Sequence, residues 1–251
     1  MLHDLKRLGV RDGGDLLVHS SYKSLGPGAR DITQVIDALR AAVGENGNLL
    51  FPTLSYESVT QENPHFDIRN TPSCVGAINE WFRKQPGVIR SMHPTHSVAV
   101  YGPDGLEIAA NHHLDTTPVG SNSPFRKLRD RNGQILMLGC GLKPSTSMHG
   151  VEELAMPPYI LRNAITYTCV NWDGSTMELN IKRHNFTNKH GEGLIQRYDR
   201  LKYVLPKDVM RKGKVLDAEC YLIDAKPMWD IAEAVLKEDP LFFVDCPIEY
   251  K

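Results

Sequence analysis

Two residues with the makings of a general base, His149 and Glu152, follow a glycine and hydroxyl run, Gly139-Cys140-Gly141-Leu142-Lys143-Pro144-Ser145-Thr146-Ser147. On a helix their i, i+3 spacing puts both on one face. A carboxylate beside an imidazole fixes its tautomer and strengthens it as a base. That suits removal of a proton from an amine attacking a thioester. A surface histidine near a helix start, with a glutamate favoured by the helix dipole, is the plainer alternative. In Arg90-Ser91-Met92-His93-Pro94-Thr95-His96-Ser97, His93 and His96 together with His149 admit a metal-dependent hydrolase. Neither an HExxH motif nor a cysteine pair supports it, so no metal is expected. Val18-His19-Ser20-Ser21-Tyr22-Lys23-Ser24-Leu25-Gly26 reads as a strand ending in small residues. Its exposed N–H groups would suit a phosphate or the amides of a pantetheine arm; an ordinary Ser/Gly turn reads equally well. Asp67, in Phe66-Asp67-Ile68-Arg69-Asn70-Thr71-Pro72-Ser73, would hold a cationic amine or simply cap its loop.

These groups need elements to place them. Gln134–Leu138 is a continuous apolar run and reads as a buried strand feeding the His149 helix. Ligands of open α/β sheets gather at such strand ends, and a helix start there offers free N–H groups. Asp15–His19, Asn48–Phe51 and Ser97–Tyr101 are further strands. Asp31-Ile32-Thr33-Gln34 has the spacing of a helix start, with Val35, Ile36, Leu39 and Val43 on one face. Ser73–Phe82 and, more weakly, Pro103–His113 read as helices. Ser123-Pro124 opens another, carrying Phe125, Arg126 and Lys127. A long polar loop, 52–72, contains Tyr56, Glu57 and Glu62, and loops of such length are often functional or mobile. Beyond residue 157 two alternating runs flank Asp173-Gly174, a hairpin signal. Val215–Ile223 reads as a strand and Pro227–Lys237 as an amphipathic helix. The expected fold is α/β: a mainly parallel sheet flanked by helices, with an antiparallel hairpin added in the C-terminal part.

With 251 residues and a formal net charge of -1, the chain can bury a substantial core and has no basic excess for nucleic acid. Five cysteines, Cys74, Cys140, Cys169, Cys220 and Cys246, are odd in number and form no CxxC pair, as expected of a reduced, cytoplasmic protein. No signal peptide or membrane span is expected.

Taken in order, VHSSYKSLG, LLFPTLSYES, FDIRNTPS, RSMHPTHSVAVYG, SPFRKL and ILMLGCGLKPSTSMHGVEE resemble the aminoglycoside 3-N-acetyltransferase family. The match runs from about Asp15 to Glu153, six short motifs in sequence. The resemblance implies one domain over residues 1–251. Residues 1–157 would form the coenzyme-binding and catalytic core, and 158–251 would complete the acceptor side. It implies acetyl-CoA as cosubstrate, His149 as the base and Glu152 as its partner. Asp67, with Tyr56 and Glu57, would lie on the acceptor side. His19, Ser20, Ser21, Lys23, Ser24, Leu25, Gly26, Ser97, Ser123, Phe125, Arg126, Lys127 and Ser147 would lie near coenzyme A. The cluster Arg126, Lys127 and Arg129 is the sequence candidate for its phosphates, with a solvated helix face the alternative. The expected partners are coenzyme A and a small-molecule amine, with a homodimer left open and neither nucleic acid nor membrane involved.

The chain departs from the resemblance after Glu153. Where many aminoglycoside-modifying members carry acidic residues, this sequence has Lys182, Arg183, His184, Lys189 and His190. If those cations face the pocket, they repel a polycationic drug and favour an amino sugar carrying a negative charge, such as a nucleotide-linked one. Acetyl transfer to an amino sugar is therefore the expected activity, with aminoglycoside resistance as the alternative. A hydrolase and a non-catalytic binding protein are the remaining rivals.

Overall fold

The computed structural model describes residues 1–29, 31–188 and 190–246. Along the first half the elements are α1 (Leu2–Leu8), β1 (Asp15–Ser20), α2 (Ile32–Val43), β2 (Asn48–Pro52), β3 (His65–Asp67), α3 (Ala77–Phe82), β4 (Ile89–Arg90) and β5 (Val98–Tyr101). Then come α4 (Gly105–Ala109), α5 (Pro124–Asp130), β6 (Gln134–Leu138) and α6 (Ser147–Ala155). The second half adds β7 (Leu161–Val170), β8 (Thr176–His184), β9 (Ile195–Gln196), α7 (Leu201–Val204), β10 (Met210–Val215), β11 (Ala218–Asp224), α8 (Ala225–Glu238) and β12 (Val244–Asp245).

Seven strands form the main sheet in the order β10-β11-β6-β1-β2-β5-β4. Its central strands are apolar at nearly every position, and alternate side chains enter opposite layers. Leu17, Ile135 and Met137 meet Phe125, Val151 and Trp229 from α5, α6 and α8. Leu16, Val18, Leu136 and Leu138 meet Leu5, Leu39 and Phe82 from α1, α2 and α3. Burial on both faces explains why these strands read as unbroken apolar runs rather than alternating ones.

The sheet is mixed rather than mainly parallel. Only β1–β2 and β1–β6 pair in parallel. The other neighbours, β2–β5, β5–β4, β6–β11 and β11–β10, are antiparallel. The chain leaves β2 through a long loop and a short helix, so β5 returns beside it in the opposite direction. The expected strand over Val215–Ile223 is in fact the end of β10, a tight turn and β11, with Val215 paired to Ala218. Leu216 makes that turn at φ 52, a conformation that the Leu-Asp pair does not advertise. Because β10 and β11 extend the main sheet, the boundary near residue 157 does not separate two sheets.

A smaller sheet, in the order β3-β7-β8, stands apart from the first. β7 and β8 are antiparallel, and Gly174 turns between them at φ 86. β3 joins β7 in parallel, which brings the long loop against this second sheet. No helix among the described residues is long and apolar enough to cross a membrane.

Candidate active site

β6 ends at Leu138, and Gly139 and Gly141 turn the chain at φ 72 and 67 towards α6. This returns His149 to the carboxyl end of the sheet. Its ring is 12 % exposed and borders a cavity of about 680 Å³. Glu152, one turn later, is fully buried. Its Oε1 accepts a hydrogen bond from the Tyr159 hydroxyl at 2.9 Å and its Oε2 one from Tyr198 at 2.7 Å. Burial, and next the Glu152 charge, hold both phenols above their ordinary range, so they remain O–H donors.

The tyrosine at 198 changes how the histidine is held. His149 Nδ1 lies 2.9 Å from the Tyr198 oxygen but 3.4 Å from Glu152 Oε2. The Tyr198 proton goes to Glu152, so its oxygen accepts from His149 Nδ1–H. The chain of bonds is imidazole to phenol to carboxylate, and it leaves Nε2 with a lone pair.

Two more imidazoles stand beside His149. The ring centre of His96 is 5.7 Å from that of His149, and the ring centre of His184 is 4.7 Å away. His96 Nδ1 pairs with the Thr95 hydroxyl at 2.9 Å, and His184 Nε2 with Glu153 Oε1 at 2.7 Å. Burial pushes His184 well below its ordinary pKa and Glu153 upwards, so their link is a hydrogen bond more than an ion pair. Burial likewise holds His96 well below its ordinary range. His93 does not join them. It is fully buried, and its Nδ1 accepts the backbone N–H groups of Thr95 and His96. Its work is to shape the turn that presents His96.

The wall opposite α6 comes from the long loop and β8. Leu54, Tyr56, Val59, Thr60, Gln61 and Glu62 supply the first, and Arg183 and His184 the second. Arg162 on β7 is directly opposite Arg183. Arg90 fixes the loop's ends. Its Nη2 donates to the Thr53 carbonyl at 2.9 Å, its Nη1 to the Thr71 carbonyl at 2.6 Å, and its Nε to the Ser97 hydroxyl at 2.9 Å.

Several expected site residues have other duties. Asp67 does not line the cavity. Its carboxylate caps a turn, accepting from the N–H groups of Arg69 and Asn70. Glu57 is likewise absent from the lining, whereas Tyr56 is present. Ser97 is fully buried, and its hydroxyl holds Arg90 and the Thr53 carbonyl. Leu25 and Phe125 are core residues, and Ser123 caps α5. The Arg126 guanidinium lies 5.5 Å over Trp229. The Lys127 ammonium donates to the carbonyls of Glu107, Ile108 and Ala110 at the end of α4. Both cations are thus engaged within the protein rather than simply solvated. The Ser21 and Ser24 hydroxyls bond each other, and Ser24 abuts Gly139. That places the Ser20–Gly26 turn beside the α6 loop. The hydroxyls of Ser145 and Ser147 are buried without a partner among the described residues. On β8, Lys182 is exposed; His190 is exposed too, and Lys189 is outside the described residues. Burial raises the thiols of Cys74, Cys169 and Cys220, which works against their acting as nucleophiles. Burial pushes the Cys140 thiol, the one in the α6 loop, up to about 12.

Tyr198, Tyr159 and Arg162 escaped the sequence reading. Tyr198 lies between Arg197 and Asp199, where nothing marks a buried phenol.

Burial also lowers His19, beside the site, and His112 to about 3 from 6.5. A histidine depressed in the folded chain contributes stability that is full above pH 6.5 and is lost as pH falls towards 3. At pH 5 each contributes a penalty of about 2 kcal/mol relative to neutral pH. Urea midpoints at pH 7.5 and 5 are expected to differ strongly. A midpoint independent of pH over that range would show that neither ring is held neutral.

The α/β sheet and the histidine held at its cavity suit an acyltransferase. The sequence matches the family profile described as aminoglycoside 3-N-acetyltransferase over residues 17–237, and the chain belongs to that family. A curated relative, aminoglycoside N(3)-acetyltransferase IV from Salmonella sp, is 30% identical over 249 residues, covering 98% of this chain and 90% of that protein. Among solved structures, a histidine-to-alanine mutant of the aminoglycoside acetyltransferase AAC(3)-IVa in complex with a gentamicin has a TM-score of 0.80 at 30% identity. It covers 96% of this chain and 88% of its own. AAC-IIIb in binary complex with CoASH has a TM-score of 0.79 at 25% identity, covering 94% of each chain. The family to which the chain belongs is thus one of N-acetyltransferases, and one of its solved neighbours, AAC-IIIb, holds CoASH.

Proposed function

We propose that this chain acetylates a primary amine of an aminoglycoside or related amino sugar in a ternary complex, with His149 as the general base. The observation that carries this is the bond chain from His149 through Tyr198 to Glu152, which holds Nε2 as an acceptor at the cavity. His149 Nε2 takes the proton as the amine nitrogen attacks the thioester carbon, and the positive charge formed on the ring is met through Tyr198 by Glu152. The thiolate of coenzyme A leaves when the tetrahedral intermediate collapses. Ser145, which borders the cavity with a buried hydroxyl lacking a partner among the described residues, and the start of α6 are our candidates for steadying the thioester oxygen. The Ser20–Gly26 turn lies on the same side and is our candidate for the pantetheine arm. No covalent enzyme intermediate is needed, in keeping with a Cys140 thiol held protonated. A thiol-release assay with acetyl-CoA over a panel of aminoglycosides and amino sugars tests the proposal; no release with any of them would overturn it.

A second reading concerns the acceptor's charge. Arg162 and Arg183 oppose each other across β7 and β8, a destabilising arrangement for like charges. Neither makes an ion pair among the described residues, and both border the cavity with Lys143, against one carboxylate, Glu62. An acceptor bearing a phosphate or carboxylate would relieve that repulsion, whereas a polycation would add to it. Arg183→Ala is expected to lower kcat/KM for a phosphorylated amino sugar by about 10-fold, the loss of one charge-assisted contact, and to raise it for gentamicin-type drugs. Efficient use of aminoglycosides, with no turnover of anionic amino sugars in either form, excludes this second reading.

A further inference from the structure

His96, His149 and His184 each offer one ring nitrogen, and these lie within 4.8 Å of one another. Each ring also has one nitrogen in a hydrogen bond, which leaves its other nitrogen for an ion. Thr95 holds His96 Nδ1, Tyr198 holds His149 Nδ1, and Glu153 holds His184 Nε2. Nothing in amine acetylation requires three converging imidazoles. Three histidines, each oriented by a hydroxyl or carboxylate on one nitrogen, are what a zinc-type ion asks of a protein. All three histidines border the cavity, which leaves room for a fourth ligand, water or an amine.

We propose that His96, His149 and His184 form a three-imidazole site that takes up Zn2+ or a similar borderline divalent ion from solution, and that the bound ion silences the enzyme. Tetrahedral coordination at about 2.0–2.1 Å brings the three nitrogens to about 3.4 Å apart, so the rings must turn inward by roughly an ångström. His149 Nε2 would then donate its lone pair to the ion instead of accepting a proton. The ion is an inhibitor here, not a participant. The silencing rests on the proposal that His149 is the base; the binding does not.

The test uses the whole chain and the metals themselves. Calorimetry with Zn2+ is expected to give one ion per chain. Co2+ is expected to give visible ligand-field absorption without a thiolate charge-transfer band. His184→Asn and His96→Asn should each weaken binding by about 10-fold or more, and Glu153→Gln, which leaves all three ligands in place, by about 10-fold. Zn2+ should lower turnover in competition with the acceptor amine, and a chelator should restore it. No stoichiometric binding, unchanged affinity in both histidine variants, or a thiolate band from Co2+ overturns the site. Binding that depends on the three histidines but leaves turnover intact overturns the silencing, and with it the role of His149.

Discussion

His149→Ala is expected to lower turnover by about 100-fold or more, the usual size for loss of a positioned general base, with little change in the unfolding midpoint. The expectation of an intact fold has a structural reason. Glu152 keeps both phenol donors when the imidazole is gone, so no buried charge is left bare. Tyr198→Phe is the informative companion. It removes the link between ring and carboxylate and leaves the ring 3.4 Å from Glu152 Oε2. Turnover should fall by about 10-fold, the lower end of what orienting groups contribute, with KM for acetyl-CoA unchanged. Single-turnover measurements with saturating acetyl-CoA would read both. Near-normal turnover in His149→Ala removes the base from this site altogether, and a Tyr198→Phe effect equal to that of His149→Ala would make the phenol more than a positioning residue.

Gly150→Ala, next to the base, is expected to damage both stability and activity. A methyl group built there comes 2.0 Å from the Trp229 ring on α8 and 2.7 Å from Val119. Trp229 is fully buried, so it cannot swing aside. Alanine favours a helix over glycine by about 1 kcal/mol, whereas overpacking a filled core costs about 1–3 kcal/mol, and more where nothing yields. Steric conflict wins here because α6 and α8 must separate to admit the methyl. In a domain of this size a net loss of about 2 kcal/mol lowers Tm by about 4–8 °C. Moving α6 also moves His149, so kcat should fall with Tm. Unchanged Tm and kcat in this variant would mean that the two helices are not packed as described.

What the sequence revealed of this site followed its most local signals. The run Gln134–Leu138 is apolar because both faces of β6 are covered, and it ends in glycines that lead to α6. Asp31 caps α2 through the Gln34 N–H, and Ser123 caps α5, as their spacing implies. Tertiary duties were hidden. Arg126 and Lys127 resemble a phosphate cluster only until Trp229 and the last carbonyls of α4 engage them. Asp67 resembles an amine ligand until its own loop turns back to donate two N–H groups. His184 lay in a stretch read for its charge, and which of its residues face the cavity depends on the register of β8 against β7. Tyr198 reaches Glu152 across 46 positions of chain, a distance at which no periodicity operates.

Arg90 separates what closes the long loop from what the loop displays. One buried side chain ties the carbonyls of Thr53 and Thr71, while Tyr56, Val59 and Gln61 project from between those ends into the cavity. Over evolutionary time the two can change independently. Point substitutions at the displayed positions alter the surface of the cavity and leave the tie whole. The cavity can therefore change by small steps at little cost to folding. Loss of Arg90 would undo the whole wall in one step, so diversity should collect between its anchor points while the anchor itself stays.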